Sequence, residues 1–156
     1  MTASYLLTLA FAAALVAGLG VKFWLATRQI RHVAQHRDNV PAAFSATVPL
    51  PAHQKAAAYT VAKARFGLLE LAFGTAVLLA WTLLGGLDAL NQVLRAWLGT
   101  GMAQQLALLA AFALIGGALE LPFTLYQTFV IEERFGFNKM TARLWLGDLL
   151  KSTVLG

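Results

Sequence analysis

The segment that decides the fold is Phe129-Val130-Ile131-Glu132-Glu133-Arg134-Phe135-Gly136-Phe137-Asn138-Lys139, where a long apolar run gives way to charged residues and a glycine. The pattern predicts the end of a helix, a tight turn at Gly136, and a new helix capped near Asn138 or Thr141. Glycine adopts positive φ without steric cost, and short polar side chains cap helix starts. We interpret the segment as the place where a membrane helix ends and the next helix begins.

The composition places the chain in a bilayer. Hydrophobic residues make up 59% of the 156 positions and charged residues 12%, a balance that a soluble domain of this size could not hide in a core. There is no cysteine, which excludes disulfides, thiol catalysis and cysteine-based metal sites. The net charge of +5 lies mainly between the apolar runs, so it indicates membrane topology and no nucleic-acid partner.

Three apolar runs are each long enough for a membrane helix, which needs ~20 residues. They cover residues 1–21, with the helix ending near 26, then 66–87 and about 102–131, and a long polar connection over 22–65 separates the first two. A short stretch through Arg95 and residues 99–101 is predicted to turn the chain between the second and third spans. A fourth apolar helix begins near Leu144 but meets Asp148 and Lys151 before it completes a span. The sequence predicts an all-α polytopic transmembrane protein with three full spans plus the start of a fourth, and it suggests a longer natural chain.

The third run is longer than a bilayer requires. At 1.5 Å per residue, a continuous helix over about 102–131 exceeds the ~30 Å hydrocarbon thickness. Such a helix must tilt, kink at Pro122 or project from the membrane, and we favour a kinked helix that projects.

The distribution of basic residues predicts the orientation. Seven of them lie between the first two spans, from Lys22 to Arg65, whereas Arg95 alone lies between the second and third. The positive-inside rule therefore places the 22–65 loop in the cytoplasm and the N-terminus outside or in a lumen. The membrane would be the inner membrane of a bacterium or the endoplasmic reticulum of a eukaryote. A cleaved signal peptide is the competing interpretation of the first run. A signal peptide carries a basic residue before its apolar stretch, whereas the first basic residue of this chain follows the stretch.

Two carboxylates, Glu70 and Glu120, lie within predicted spans. An intramembrane acid indicates a proton relay, an ion site or the wall of a watery cavity. The alternative is that each lies near the interface and snorkels or pairs with Arg65 or Arg134. We treat both as possible chamber-lining or interfacial residues.

The basic loop contains two further local patterns. His32 and His36 have the spacing that puts two imidazoles on one helical face, but position 33 is valine and arginines flank the pair, so we predict no metal site. Residues 53–65 form a predicted helix with Pro51 or Ala52 in its first turn. This helix, with Tyr59, Ala62 and Phe66 on one face, either lies on the membrane surface, extends the second span or packs against a further domain.

Four stretches, in their order along the chain, closely resemble the N-terminal membrane domain of the type I CAAX prenyl endopeptidases, which are integral-membrane zinc metalloproteases. They are Arg28-Gln29, His53-Gln54-Lys55-Ala56 with Tyr59, Gly85-Gly86-Leu87-Asp88, and residues 121–138. The resemblance covers nearly the whole chain and implies a single N-terminal transmembrane domain over 1–156.

The resemblance also implies a chemistry that this chain cannot complete. The family holds zinc with a His-Glu-x-x-His helix and a downstream glutamate, and no such motif occurs in these 156 residues. We therefore expect no catalytic residue, metal ligand or cofactor in this chain, and zinc in the full-length enzyme. The implied partners are the lipid bilayer, a downstream catalytic domain and prenylated or other C-terminal peptides that enter a chamber enclosed by the helices.

Asn138 is the candidate substrate-binding residue. Its amide both donates and accepts hydrogen bonds, as the backbone of an extended peptide requires, although capping of the next helix is the simpler role. Two other functions stay open from the sequence: a non-enzymatic membrane scaffold or assembly protein, and a transport subunit that uses Glu70 and Glu120.

Overall fold

The computed structural model describes residues 3–155, which form five α-helices and no strand. The helices are α1 (Ala3–His36), α2 (Leu50–Thr82), α3 (Gly86–Leu98), α4 (Met102–Tyr126) and α5 (Ala142–Leu155). A π-helical segment, Gln127–Glu132, continues α4 without a break. The predicted all-α fold is confirmed.

Three of these elements are long and apolar enough to cross a membrane: α1, α2, and α4 together with its π-helical continuation. The three predicted spans are therefore confirmed by length and composition. At 13 and 14 residues, α3 and α5 are shorter than the ~20 residues that a span requires. Asp148 and Lys151 interrupt the apolar run in α5 but do not end the helix.

The connection between the first two spans is shorter than the predicted polar region over 22–65. Helix α1 continues to His36 and α2 begins at Leu50, so only residues 37–49 lie outside helices. The residues of these extensions have adequate helix propensity, and a helix needs no apolar side chains once it has left the bilayer. Both helices therefore continue past the membrane. Pro51 lies in the first turn of α2, where its missing N–H is harmless, and the predicted extension of the second span is confirmed.

Helix α3 replaces what the sequence suggested was a simple turn between the second and third spans. It begins at a sharp corner where Gly85 adopts φ 79°. A Cβ on Gly86 would lie 2.8 Å from the Ala80 carbonyl oxygen, so the chain can reverse here only with glycine. Gln104 of α4, only 6% exposed, donates a 2.6 Å hydrogen bond to Asn91 Oδ1 and ties α3 to α4.

The third span passes through Pro122 without ending. Its backbone changes to π-helical geometry five residues later, at Gln127, and so the hydrogen-bond register shifts at the end of the span. The predicted turn is confirmed, since Gly136 has φ 68°. The predicted cap is at Thr141, whose Oγ1 accepts a 3.3 Å hydrogen bond from the Leu144 amide.

Candidate functional site

The turn after α4 is held against the first half of α2 by aromatic contacts. The Tyr59 ring lies 5.5 Å from the Phe135 ring and 4.8 Å from the Phe137 ring, between centroids. Lys55 Nζ lies 5.4 Å from the Phe137 centroid and 3.5 Å from where a Cβ on Gly136 would stand. These contacts fix the position at which the third span ends.

The same face of α2 continues the contact with α4 toward the middle of the spans. Phe66 stacks on Tyr126 with a centroid distance of 5.0 Å, and Phe73 lies 4.7 Å from Phe123. The predicted face of Tyr59, Ala62 and Phe66 is confirmed, because all three point toward the end of α4.

A groove of about 460 Å³ runs between α4 and α5, and we call it the polar groove after the polar side chains that line it from both sides, although most of its surface is apolar. Glu120 and Thr124 of α4 and Thr128 of its π-helical continuation enter the groove at four-residue intervals. Asp148 and Ser152 line it from α5. This places one predicted acid, Glu120, on the wall of a cavity. The neighbours of Glu120 were not predicted from the sequence, although the four-residue spacing of a glutamate and two threonines on an apolar helix was a visible signal.

A second groove of about 390 Å³ adjoins the first and shares Thr128 and Asp148 with it. Glu132, Asn138 and Lys139 also line this second groove. The polar face of α4 thus reaches from the interior of the span to the turn at its end.

Asn138 is half-buried and uses both ends of its amide within the turn. Its Nδ2 donates to Glu133 Oε2 at 2.9 Å, and its Oδ1 accepts from the Met140 amide at 2.7 Å. The side chain braces the turn and retains one N–H and one oxygen lone pair for another partner.

Glu70 and Glu120 are both exposed, and neither forms the ion pair with Arg65 or Arg134 that the sequence allows. Within residues 3–153, the ion pair present joins Arg37 to Asp38 at 3.3 Å. Glu70 lies on α2, away from the groove that contains Glu120.

Two of the three histidines, His36 and His53, donate a ring N–H to a backbone carbonyl. His36 Nδ1 donates to the His32 carbonyl oxygen at 2.8 Å, and His53 Nε2 donates to the His36 carbonyl oxygen at 3.2 Å. The His32 and His36 rings lie 4.2 Å apart. Among the described residues, no three histidine, cysteine or acidic side chains come together as a metal site would require.

These features define a class: an all-helical integral-membrane domain with a polar groove along one of its spans. The comparison with known families is consistent with this class. The family described as "CAAX prenyl protease N-terminal, five membrane helices" matches residues 29–156. The chain belongs to this family.

Individual relatives agree with the assignment. "Probable CAAX prenyl protease 1" of Schizosaccharomyces pombe is 31% identical over 85% of this chain and 30% of its own length. "CAAX prenyl protease 1 homolog" of Homo sapiens is 30% identical over 93% of this chain and 32% of its own length. The chain thus spans about a third of the length of these relatives.

The fold also matches a solved structure. The crystal structure of S. mikatae Ste24p superposes with a TM-score of 0.83 at 26% sequence identity. The match covers 94% of this chain and 35% of that one. The described helices therefore share their fold with about a third of that protein.

Proposed function

We propose that this chain is the chamber-forming N-terminal membrane domain of a zinc metalloendopeptidase that processes CAAX-type or other membrane-associated peptides. The family assignment and the names of the relatives support this function. The share of the relatives that the chain covers supports a downstream catalytic domain as its partner.

The observation that carries the proposal is the polar groove between α4 and α5. Glu120, Thr124 and Thr128 occupy one face of a helix whose composition suits a bilayer. A carboxylate at the centre of a bilayer costs roughly 3 kcal/mol by insertion scales, so ionisable groups in spans face a bundle interior or a water-filled cavity. A wall of a wet chamber meets that requirement, whereas a lipid-facing surface does not.

The residues of this chain do not fit a zinc site. His36 and His53 use a ring nitrogen on backbone carbonyls, and no glutamate adjoins a histidine in the sequence. The groups that hold zinc and activate water would come from the downstream part of the protein. This chain would supply the enclosure and, at Asn138, a contact to the peptide backbone.

Cysteine accessibility tests the chamber directly. In the membrane-embedded full-length protein, Thr124→Cys and Thr128→Cys should react with a small hydrophilic thiol reagent at least ten times faster than Leu125→Cys. Leu125 is the matched control, because it lies at the same depth but does not line the groove. Equal, slow reaction at all three positions would show that the polar face is packed against protein or lipid, and the chamber role would be wrong.

A further inference from the structure

A third groove lies between α2 and α4, with largely apolar walls and a basic mouth. It consists of two cavities: an upper one of about 280 Å³, near the turn after α4, and a lower one of about 410 Å³, near Pro122. The two cavities share Phe66, Leu69 and Tyr126. The lower cavity extends to Pro122, and the upper one ends at Arg134. We call the two together the α2–α4 groove.

Two arginines form the mouth of this groove. Arg65 of α2 and Arg134, just after the π-helical segment, both line the upper cavity, and both also line a neighbouring cavity of about 350 Å³. Both are exposed, and within residues 3–153 neither has a carboxylate oxygen within 4.0 Å. Two guanidinium groups that share a cavity without a counter-ion favour an anion, and guanidinium binds phosphate oxygens in a bidentate manner.

The size and lining of the groove fit a lipid chain below that anion. Arg134 lies twelve positions after Pro122, which is roughly 18 Å along a helix at 1.5 Å per residue. This length is close to one leaflet, about half of a ~30 Å hydrocarbon core. Leu69 and Val130 on the walls are 60% and 45% exposed, so the groove offers apolar surface that the rest of the described chain leaves uncovered.

We propose that the α2–α4 groove binds an anionic phospholipid, with its phosphate between Arg65 and Arg134 and one acyl chain along Phe66, Leu69 and Val130. A soluble phosphate would satisfy the arginines but leave the apolar walls uncovered. The basic residues between the first two spans predict that this end of the helices faces the cytoplasm, where anionic lipids are concentrated. The site is separate from the polar groove between α4 and α5 and does not depend on proteolytic activity.

Lipid binding to the purified full-length protein tests the proposal. The delipidated protein is titrated in detergent with phosphatidylglycerol or with phosphatidylcholine of the same acyl chains, and bound lipid is counted by native mass spectrometry. We expect at least tenfold tighter binding of phosphatidylglycerol. The double variant Arg65→Gln/Arg134→Gln should lose at least tenfold of that affinity.

Two further variants test separately the charge at the mouth of the groove and the shape of its apolar wall. Arg95→Gln/Arg143→Gln removes the same charge from residues that do not line the groove, and it should change the affinity less than twofold. Val130→Trp fills the apolar wall and should weaken phosphatidylglycerol binding at least fivefold with both arginines intact, at an unchanged circular dichroism spectrum. Equal losses in the two double variants, or no effect of Val130→Trp, would overturn the proposal.

Two other outcomes would also overturn it. Full displacement of phosphatidylglycerol by millimolar inorganic phosphate would show a site for a free anion. No retained phosphatidylglycerol on the full-length protein would show that another part of that protein covers the groove.

Discussion

Asn138 lies where the polar face of the third span meets the turn, and its amide is partly committed to that turn. In the full-length protein, we expect Asn138→Ala to lower kcat/KM for peptide cleavage at least tenfold, equivalent to ~1.4 kcal/mol, with unchanged zinc content. The reason is that the amide orders the turn and offers its free donor and acceptor to the peptide backbone. Steady-state kinetics and metal analysis measure the two quantities.

Thr141→Ala is the matched control for stability alone. It removes the hydrogen bond from the Leu144 amide at the start of α5, which should cost about 1 kcal/mol, as the loss of a helix cap usually does. We expect a lower melting temperature and a kcat/KM within twofold of the parent protein. If Asn138→Ala behaves in the same way, Asn138 is a structural residue and does not contact the substrate.

Two glycines show how far the conformation of single residues can be predicted from the sequence. The turn at Gly136 was predictable because a glycine follows an apolar run and stands among polar residues, and its φ of 68° agrees. The constraint at Gly86 was not predictable, since it comes from the Ala80 carbonyl and the Trp81 ring, which approach only after α2 ends and the chain reverses. Adjacent glycines indicate a turn but do not show which of the two is confined by its neighbours.

Among the elements, α3 is the one that the sequence analysis missed. Leu87, Leu90, Leu94 and Leu98 follow a helical period, but a run of 13 residues is too short for a span and so favoured a turn. The extension of α1 from residue 26 to His36 was underestimated for a related reason, because hydropathy locates the bilayer and not the helix end. The spans themselves were predictable, since ~20 apolar residues in succession match the thickness of the hydrocarbon core as a helix.

Helix α3 should lie in the membrane interface. It is amphipathic, its Asp88 and Gln92 hydrogen-bond to each other at 2.7 Å on the polar side, and Trp97 is 83% exposed. An amphipathic helix with an exposed tryptophan buries its apolar face at the headgroup boundary. A variant that retains only Trp97, with the other tryptophans changed to phenylalanine, should be quenched strongly by lipids brominated near the headgroup.

The depth of quenching identifies the location. Lipids brominated near the chain end should quench Trp97 at most half as strongly as those brominated near the headgroup. Leu114→Trp, in a variant without the native tryptophans, is the comparison within a span, because residue 114 lies in the interior of the third span. Quenching of Trp97 only by an aqueous quencher would place α3 in solvent.

For the whole molecule, composition predicted the location in a membrane, and the motifs predicted the family. The residues that line each groove could not be predicted, because they depend on which helices pack together. Glu120 was a visible candidate, whereas Asp148, which lines the same groove, lies 28 positions later on α5. The same holds for Arg65 and Arg134, which are distant in sequence and share two cavities. Helix contacts of this kind leave no local pattern in a single sequence.

The orientation of the whole domain is a prediction from the seven basic residues between the first two spans and the single one, Arg95, between the second and third. This asymmetry predicts that the 37–49 connection faces the cytoplasm and that the link between α3 and α4 faces outward. Single cysteines at Ala46 and Thr100, both exposed, should therefore label from opposite sides of the membrane, with Thr100 reached by an impermeant maleimide from outside. The chain has no cysteine of its own to interfere, and permeabilised cells, in which both positions should label, provide the control. Labelling of both positions from one side of intact cells would be incompatible with an odd number of crossings between them, and hence with α2 as a full span.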